Sequence, residues 1–97
     1  MANLDAIIHQ PARLQIMAAL TALPADAQLD FVALRKMLSL TDGNLSVHLR
    51  KLEDAGYVAM EKAFVGRKPR TYIAATPAGR RAFAAHVQAL QEILNLT

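Results

Sequence analysis

The chain has no cysteine, which excludes a disulfide framework, a thiolate metal site and a cysteine nucleophile together. It also lacks any apolar run near the roughly 18 residues needed to span a bilayer. Hydrophobic residues make up 54% of the sequence, but much of that share is alanine. The start, MANLDAIIHQ, is neither basic nor followed by a continuous apolar core, so it does not read as a signal peptide. These absences predict a soluble, cytoplasmic protein. A third absence is local. Between Lys62 and Arg81 there is no acidic residue, whereas Lys62, Arg67, Lys68, Arg70, Arg80 and Arg81 are all basic. The net charge is only +3, yet this stretch sets up a field suited to an anionic partner.

What is present fits one small domain. A chain of 97 residues buries roughly 60 to 70% of its unfolded surface, and no repeat, low-complexity tract or long linker divides it. Residues 3–22 read as a helix, with Leu4, Ile7, Ile8, Leu14, Met17 and Leu20 apolar and Pro11 starting a new turn or kinking the segment. Asp30 is placed to cap a second, short helix whose buried stripe is Phe31, Leu34, Met37 and Leu38. After the turn SLT, Thr41 caps a third helix that ends at Gly56. Two short helices across a tight turn resemble a helix-turn-helix. The runs YVAMEKAFV and TYIAAT around GRKPR predict a basic-tipped hairpin over about 57–76, and Leu29 is expected to add a very short strand to it. A last helix over about 77–95 follows, with Thr76 as cap, Pro77 at its first position, and Phe83, Val87, Leu90 and Leu94 as an apolar seam. The fold class is mainly α with a small β-hairpin, an α+β arrangement.

The third helix, about 42–55, has two faces. At about 100° per residue, Leu45, Leu49 and Leu52 share one side, while Gly43, Val47, Arg50 and Asp54 point the other way, flanked by Asn44, Lys51 and Ser46. The outward face is small and polar at first and basic later, a shape that a DNA major groove about 12 Å wide admits. Asn44 suits adenine, Ser46 either a donor or an acceptor, Arg50 a bidentate pair with guanine, and Val47 a thymine methyl. Thr41 and the free N–H groups of the first turn suit a phosphate, a use that the negative charge of Asp42 opposes. Taken alone, the same face reads equally well as solvated helix surface. The neighbouring hairpin shifts that balance, because Arg67, Lys68 and Arg70 lack nearby acidic residues and suit phosphates or an adjacent minor groove.

The stretches HQPARLQIMAAL, LTDGNLSVHLRKLEDAGYV, VGRKPRTY and TPAGRRAF together resemble a winged helix-turn-helix transcriptional regulator of the MarR-like and ArsR-like group, over nearly the whole chain. The resemblance implies a homodimer built through the first and last helices, with Leu4, Ile8, Phe83, Val87, Leu90 and Leu94 at the contact. Each protomer would place one recognition helix in the major groove of a pseudo-palindrome. By the same analogy Asn44, Ser46, Val47 and Arg50 read bases, and Thr41, His48, Lys51, Arg67, Lys68 and Arg70 contact the DNA backbone. The chain departs from the group in lacking cysteine ligands and in ending shortly after Leu94. No cofactor is implied, and a small-molecule effector is left open.

Rival chemistries find less support. Asp5 and His9 stand one turn apart and His86 shares the last helix with Glu92, a set that would offer a dimer oxygen and nitrogen ligands for a metal. No dense ligand motif accompanies them, and no metal site is expected. Ser39 and Ser46 lack an elbow-like setting, so the chain is not expected to be an enzyme. Phe64, Tyr57 and Tyr72 suit stacking on single strands, but hairpin aromatics are more often core. The main alternative is a winged helix that serves as a protein-interaction module.

Overall fold

Pro11 decides where the first helix begins. The computed structural model describes residues 3–95, and helix α1 runs over Pro11–Thr21, not from residue 3 as the apolar spacing predicts. Proline lacks an N–H and its ring clashes with the preceding turn, so it fits a helix only near its start. Gln10 takes the cap, its side-chain oxygen accepting from the Arg13 N–H at 2.9 Å. The preceding residues form a turn around Asp5, whose Oδ1 accepts from the N–H groups of Ile7 at 2.8 Å and Ile8 at 3.2 Å. That turn carries Ile8 into the protomer core, where it is completely buried. The sequence reading puts Ile8 on a dimer surface, and this burial removes it from any such contact.

Strand β1 (Leu29–Asp30) leads directly into α2 (Phe31–Leu38). Asp30 Oδ2 accepts from the Ala33 N–H at 3.2 Å, the expected cap. Leu34 is fully buried, and Phe31 and Leu38 pack against the core. Met37 departs from the predicted stripe and is 59% exposed. On a helical wheel it lies about 100° from the centre of the Phe31, Leu34 and Leu38 arc. Ser39, with φ of 55°, ends the helix and turns the chain.

Helix α3 (Asp42–Asp54) begins at Thr41, whose hydroxyl accepts from the Asn44 N–H at 3.1 Å. Leu45, Leu49 and Leu52 are buried, as their spacing predicts. Gly56, with φ of 80°, lets the chain leave the helix in the left-handed region. Strands β2 (Val58–Val65) and β3 (Lys68–Ala75) form an antiparallel hairpin closed by Gly66 and Arg67, and β1 pairs with β3 through Leu29↔Ile73. The sheet order is β1-β3-β2, with the expected short strand at one edge.

Helix α4 (Pro77–Asn95) is capped by the expected Thr76. The Thr76 hydroxyl accepts from the Gly79 N–H at 2.9 Å and donates to the Gly56 carbonyl at 2.6 Å, tying this helix to the exit of α3. Gly79 sits so close to Tyr57 that a Cβ there would overlap the Tyr57 carbonyl. Arg80 donates to the carbonyls of Thr21 at 3.3 Å, Leu23 at 3.0 Å and Pro24 at 3.1 Å, capping the end of α1. Its charge is thus spent inside the fold. The core, from Ile8, Ile16, Met17 and Leu20 through Leu34, the α3 leucines, Val58 and Ile73, fixes the position of α3 and the base of the hairpin.

Candidate nucleic-acid interface

The outward face of α3 is built by its own buried face. Three leucines anchored in the core leave Asn44, Ser46, Val47 and Arg50 exposed on the opposite side, with Lys51 beside them. Val47 is 56% exposed, although an apolar side chain gains by burial. Gly43 has open space where a Cβ would point, so nothing within the protomer requires a glycine there. Asp42 is answered from the preceding helix, its Oδ1 lying 2.9 Å from Nε of Arg35. This ion pair bridges the turn of the helix-turn-helix and offsets the negative charge at the start of α3.

Beside α3 the hairpin contributes a second surface. Ser46, Leu49 and Arg50 line a groove of about 270 Å³ with Met60, Lys62 and Thr71. Arg67 and Lys68 at the tip are exposed and have no ion pair among the described residues. Arg70 differs from the sequence reading, for Asp30 Oδ1 lies 3.7 Å from its Nη1. The short strand β1 brings that carboxylate next to β3, an adjacency that sequence separation hides. A wider cleft, about 670 Å³, lies between the start of α2 and β3, where Lys36 joins Lys68 and Arg70. Lys36 escaped the sequence reading because it belongs to a different element.

Two expected site residues have unexpected surroundings. His48 is half-buried, with Nδ1 3.2 Å from Nη1 of Arg13 on α1. Burial, then the nearby charges of Arg13 and Lys51, hold its pKa below the ordinary histidine value. Phe64, expected in the core, is 76% exposed near the hairpin tip. The strands extend past the helices that cover their base, so hairpin alternation continues where no core remains to receive a side chain.

Asp5, His9 and His86 do meet, within one protomer and together with Tyr57. The Asp5 N–H donates to His86 Nδ1 at 3.0 Å, the Tyr57 hydroxyl donates to Asp5 Oδ2 at 2.6 Å, and His9 Nδ1 lies 3.4 Å from His86 Nε2. Burial raises the Asp5 pKa, but the hydrogen bonds from Tyr57, Ile8 and Ile7 outweigh it and leave the pKa lowered. The same bond to Asp5 raises the Tyr57 pKa. These contacts tie the N-terminal turn to α4 and to the start of the hairpin. Among the described residues no three His, Asp or Glu side chains converge as a metal site, and no helix is long and apolar enough to cross a membrane.

Comparison with known proteins agrees with this architecture. A model of the winged helix DNA-binding domain family matches residues 12–94. An uncharacterized protein of Methanocaldococcus jannaschii is 37% identical over 91 residues, covering 94% of this chain and 92% of its own. The structure of a transcriptional regulator homologue from Pyrococcus horikoshii superposes with a TM-score of 0.83 at 32% identity, over 92% of this chain and 85% of that one. S. aureus MepR in its DNA complex shares the fold at a TM-score of 0.74 and 21% identity, over 90% of this chain and 68% of that one. With its helix-turn-helix, its basic hairpin and a family match over most of its length, the chain belongs to the winged helix DNA-binding domain family and is a winged-helix transcriptional regulator.

Proposed function

We propose that the protein binds double-stranded DNA sequence-specifically as a homodimer, each protomer presenting α3 to a major groove of a pseudo-palindromic operator and its hairpin to the flanking backbone. One observation carries this reading: a small, polar, exposed helix face held rigid by three buried leucines stands beside a hairpin tip whose Arg67 and Lys68 have no ion pair among the described residues. Asn44, Ser46, Val47 and Arg50 read base edges. Thr41, Lys51, Arg67 and Lys68 contact phosphates, and Arg70 does so while sharing its charge with Asp30. His48, held toward Arg13, supports the helix more than it reaches outward. The Arg35–Asp42 pair supports anion binding at the start of α3, since the carboxylate there is already compensated. Gly43 keeps the first turn slim for close approach. S. aureus MepR, which shares the fold, forms a complex with DNA, and this supports duplex DNA as the partner. Such a role belongs to the compartment that holds the DNA.

The test is selection of bound sequences from random duplex DNA at two salt concentrations, followed by Arg50→Ala on the recovered site. The variant is expected to lose roughly 1 to 3 kcal/mol of discrimination at one base position. Uniform loss at every position would make Arg50 a phosphate contact. Absence of salt-sensitive duplex binding by the unmodified protein would leave the fold as a protein-interaction module.

A further inference from the structure

Phe64 is 76% exposed, and single exposed apolar side chains are common enough that exposure alone decides nothing. The register of the hairpin says more. Side chains alternate between the two faces of a strand, so Phe64 shares a face with Val58, Met60 and Lys62 on β2, and with its partner Pro69 and then Thr71 and Ile73 on β3. This is the face that closes on α3, because Met60, Lys62 and Thr71 line the groove with Ser46 and Arg50. Phe64 lies two residues farther out than Lys62, about 7 Å along the strand. Phe64 is therefore on the hairpin face that turns toward the Ser46 and Arg50 flank of α3, farther toward the tip than the groove between them.

The charges around the ring restrict what it can meet. Lys62 shares its face, Arg67 forms the tip, Lys68 stands on the opposite face, and no acidic residue occurs from 62 to 81. A lipid surface or an apolar protein patch calls for a continuous apolar tip. Here Phe64 has the exposed Pro69 beside it, while Val65, also exposed, points to the opposite face and pairs with Lys68. A ring framed by cations is matched instead to a minor groove, about 6 Å wide, where an apolar side chain can wedge between base steps while the cations meet the phosphates on either rim. Pro69 directly across from Phe64, with its fixed φ, stiffens the strand that backs it.

We propose that Phe64 is a specificity-determining wedge, entering the minor groove beside the α3 site and partly unstacking one base step there. This rests on the DNA-binding reading above. A wedge of this kind favours a step that opens easily, such as TA, so the hairpin selects sequence by deformability without a hydrogen bond to any base.

The test uses the full chain and a duplex recovered by selection with the unmodified protein, carrying 2-aminopurine at successive flanking positions. Bound protein is expected to raise fluorescence at one flanking step, and Phe64→Ala to abolish that rise and weaken binding roughly tenfold. Phe64→Leu is expected to retain most of both effects, and neither variant to change the melting temperature, since the ring is exposed. Phe64→Ala that binds with unchanged affinity and an unchanged fluorescence pattern would overturn the wedge while leaving DNA binding intact. Failure of the unmodified protein to bind any duplex would overturn both readings, and the same loss on Phe64→Ala with no fluorescence rise at any step would reduce Phe64 to a surface contact.

Discussion

Asp42 puts a negative charge at the start of α3, where the helix dipole favours it but a phosphate would not. Its partner Arg35 lies on the other helix of the motif, and the Asp42 side chain is 80% exposed, so solvent screens the pair and its contribution to stability is small. Its effect is mainly on local charge. The pairing lay beyond sequence reasoning because Arg35 and Asp42 are brought together by the turn at Ser39, whose left-handed φ of 55° is not coded by a glycine. Gly79 was equally opaque, for the need to avoid a Cβ there comes from the backbone of Tyr57. His86 carries the clearest consequence at this scale. Burial, then the charge of His9, hold its pKa below the ordinary 6.5, with Asp5 opposing. Its Nδ1 accepts from the Asp5 N–H, an acceptor that protonation at Nδ1 would remove. The folded state therefore binds fewer protons than the unfolded one, so this stability is complete above the unfolded pKa and is lost as pH falls through the folded value. Asp5 does not confuse the window, since its lowered pKa acts below the ordinary 3.8. Thermal denaturation should show a lower melting temperature at about pH 5.5 than at about pH 7.5, and His86→Gln should shrink that difference. His48, shifted in the same direction, remains in both proteins and cancels from the comparison.

At the scale of elements, legibility followed the range of the determining interaction. Caps at Asp30, Thr41 and Thr76, the leucine face of α3 and the two hairpin strands were readable, because each depends on residues a few positions apart. The extent of α1 was misread, since the apolar spacing of Leu4, Ile7 and Ile8 continued through Pro11 while the Asp5 turn satisfied the backbone differently. In the candidate site, the outward residues of α3 followed from its buried face, whereas the Arg70 contact with Asp30 and the approach of Lys36 required the tertiary fold. This distinction bears on the hairpin. Arg67 and Lys68, without ion pairs among the described residues, keep their full charge for phosphate. Replacing either with alanine should weaken binding across sequences and lower the salt slope by about one, with no change in base preference. Arg70→Ala should lower the slope less, because Asp30 already compensates part of its charge. Affinity measured over a salt series checks both, and an unchanged slope for Arg67→Ala and Lys68→Ala would remove them from the phosphate contacts.

At the scale of the molecule, the question is what covers the end of α4. The early part of this helix packs on α1 and the core, with Phe83 against the core and His86 and Ala89 buried. Beyond Ala89 no described residue of the helix is buried, and Ile93 and Leu94 are 39% and 70% exposed. Val87 and Leu90 are only half-buried, so the apolar seam runs outward from a covered stretch to an open one. Leu4 is half-buried as well, whereas Ile8 is taken up by the core. An apolar helix end of this kind is costly in water and suits pairing with its own copy across a two-fold axis. To read two half-sites one turn of DNA apart, such pairing has to hold the two α3 helices about 34 to 36 Å from each other, which would tie operator spacing to the α4 contact. Light scattering at micromolar concentration should give twice the 10.6 kDa protomer mass. Replacing Ile93 and Leu94 together with glutamate should yield monomers with an unchanged circular dichroism spectrum, because both side chains already face outward. The same variant should bind a single half-site as well as the unmodified protein does, but lose the added affinity that a palindrome gives a dimer. A strictly monomeric mass for the unmodified protein would instead require each α3 and hairpin to hold its site alone.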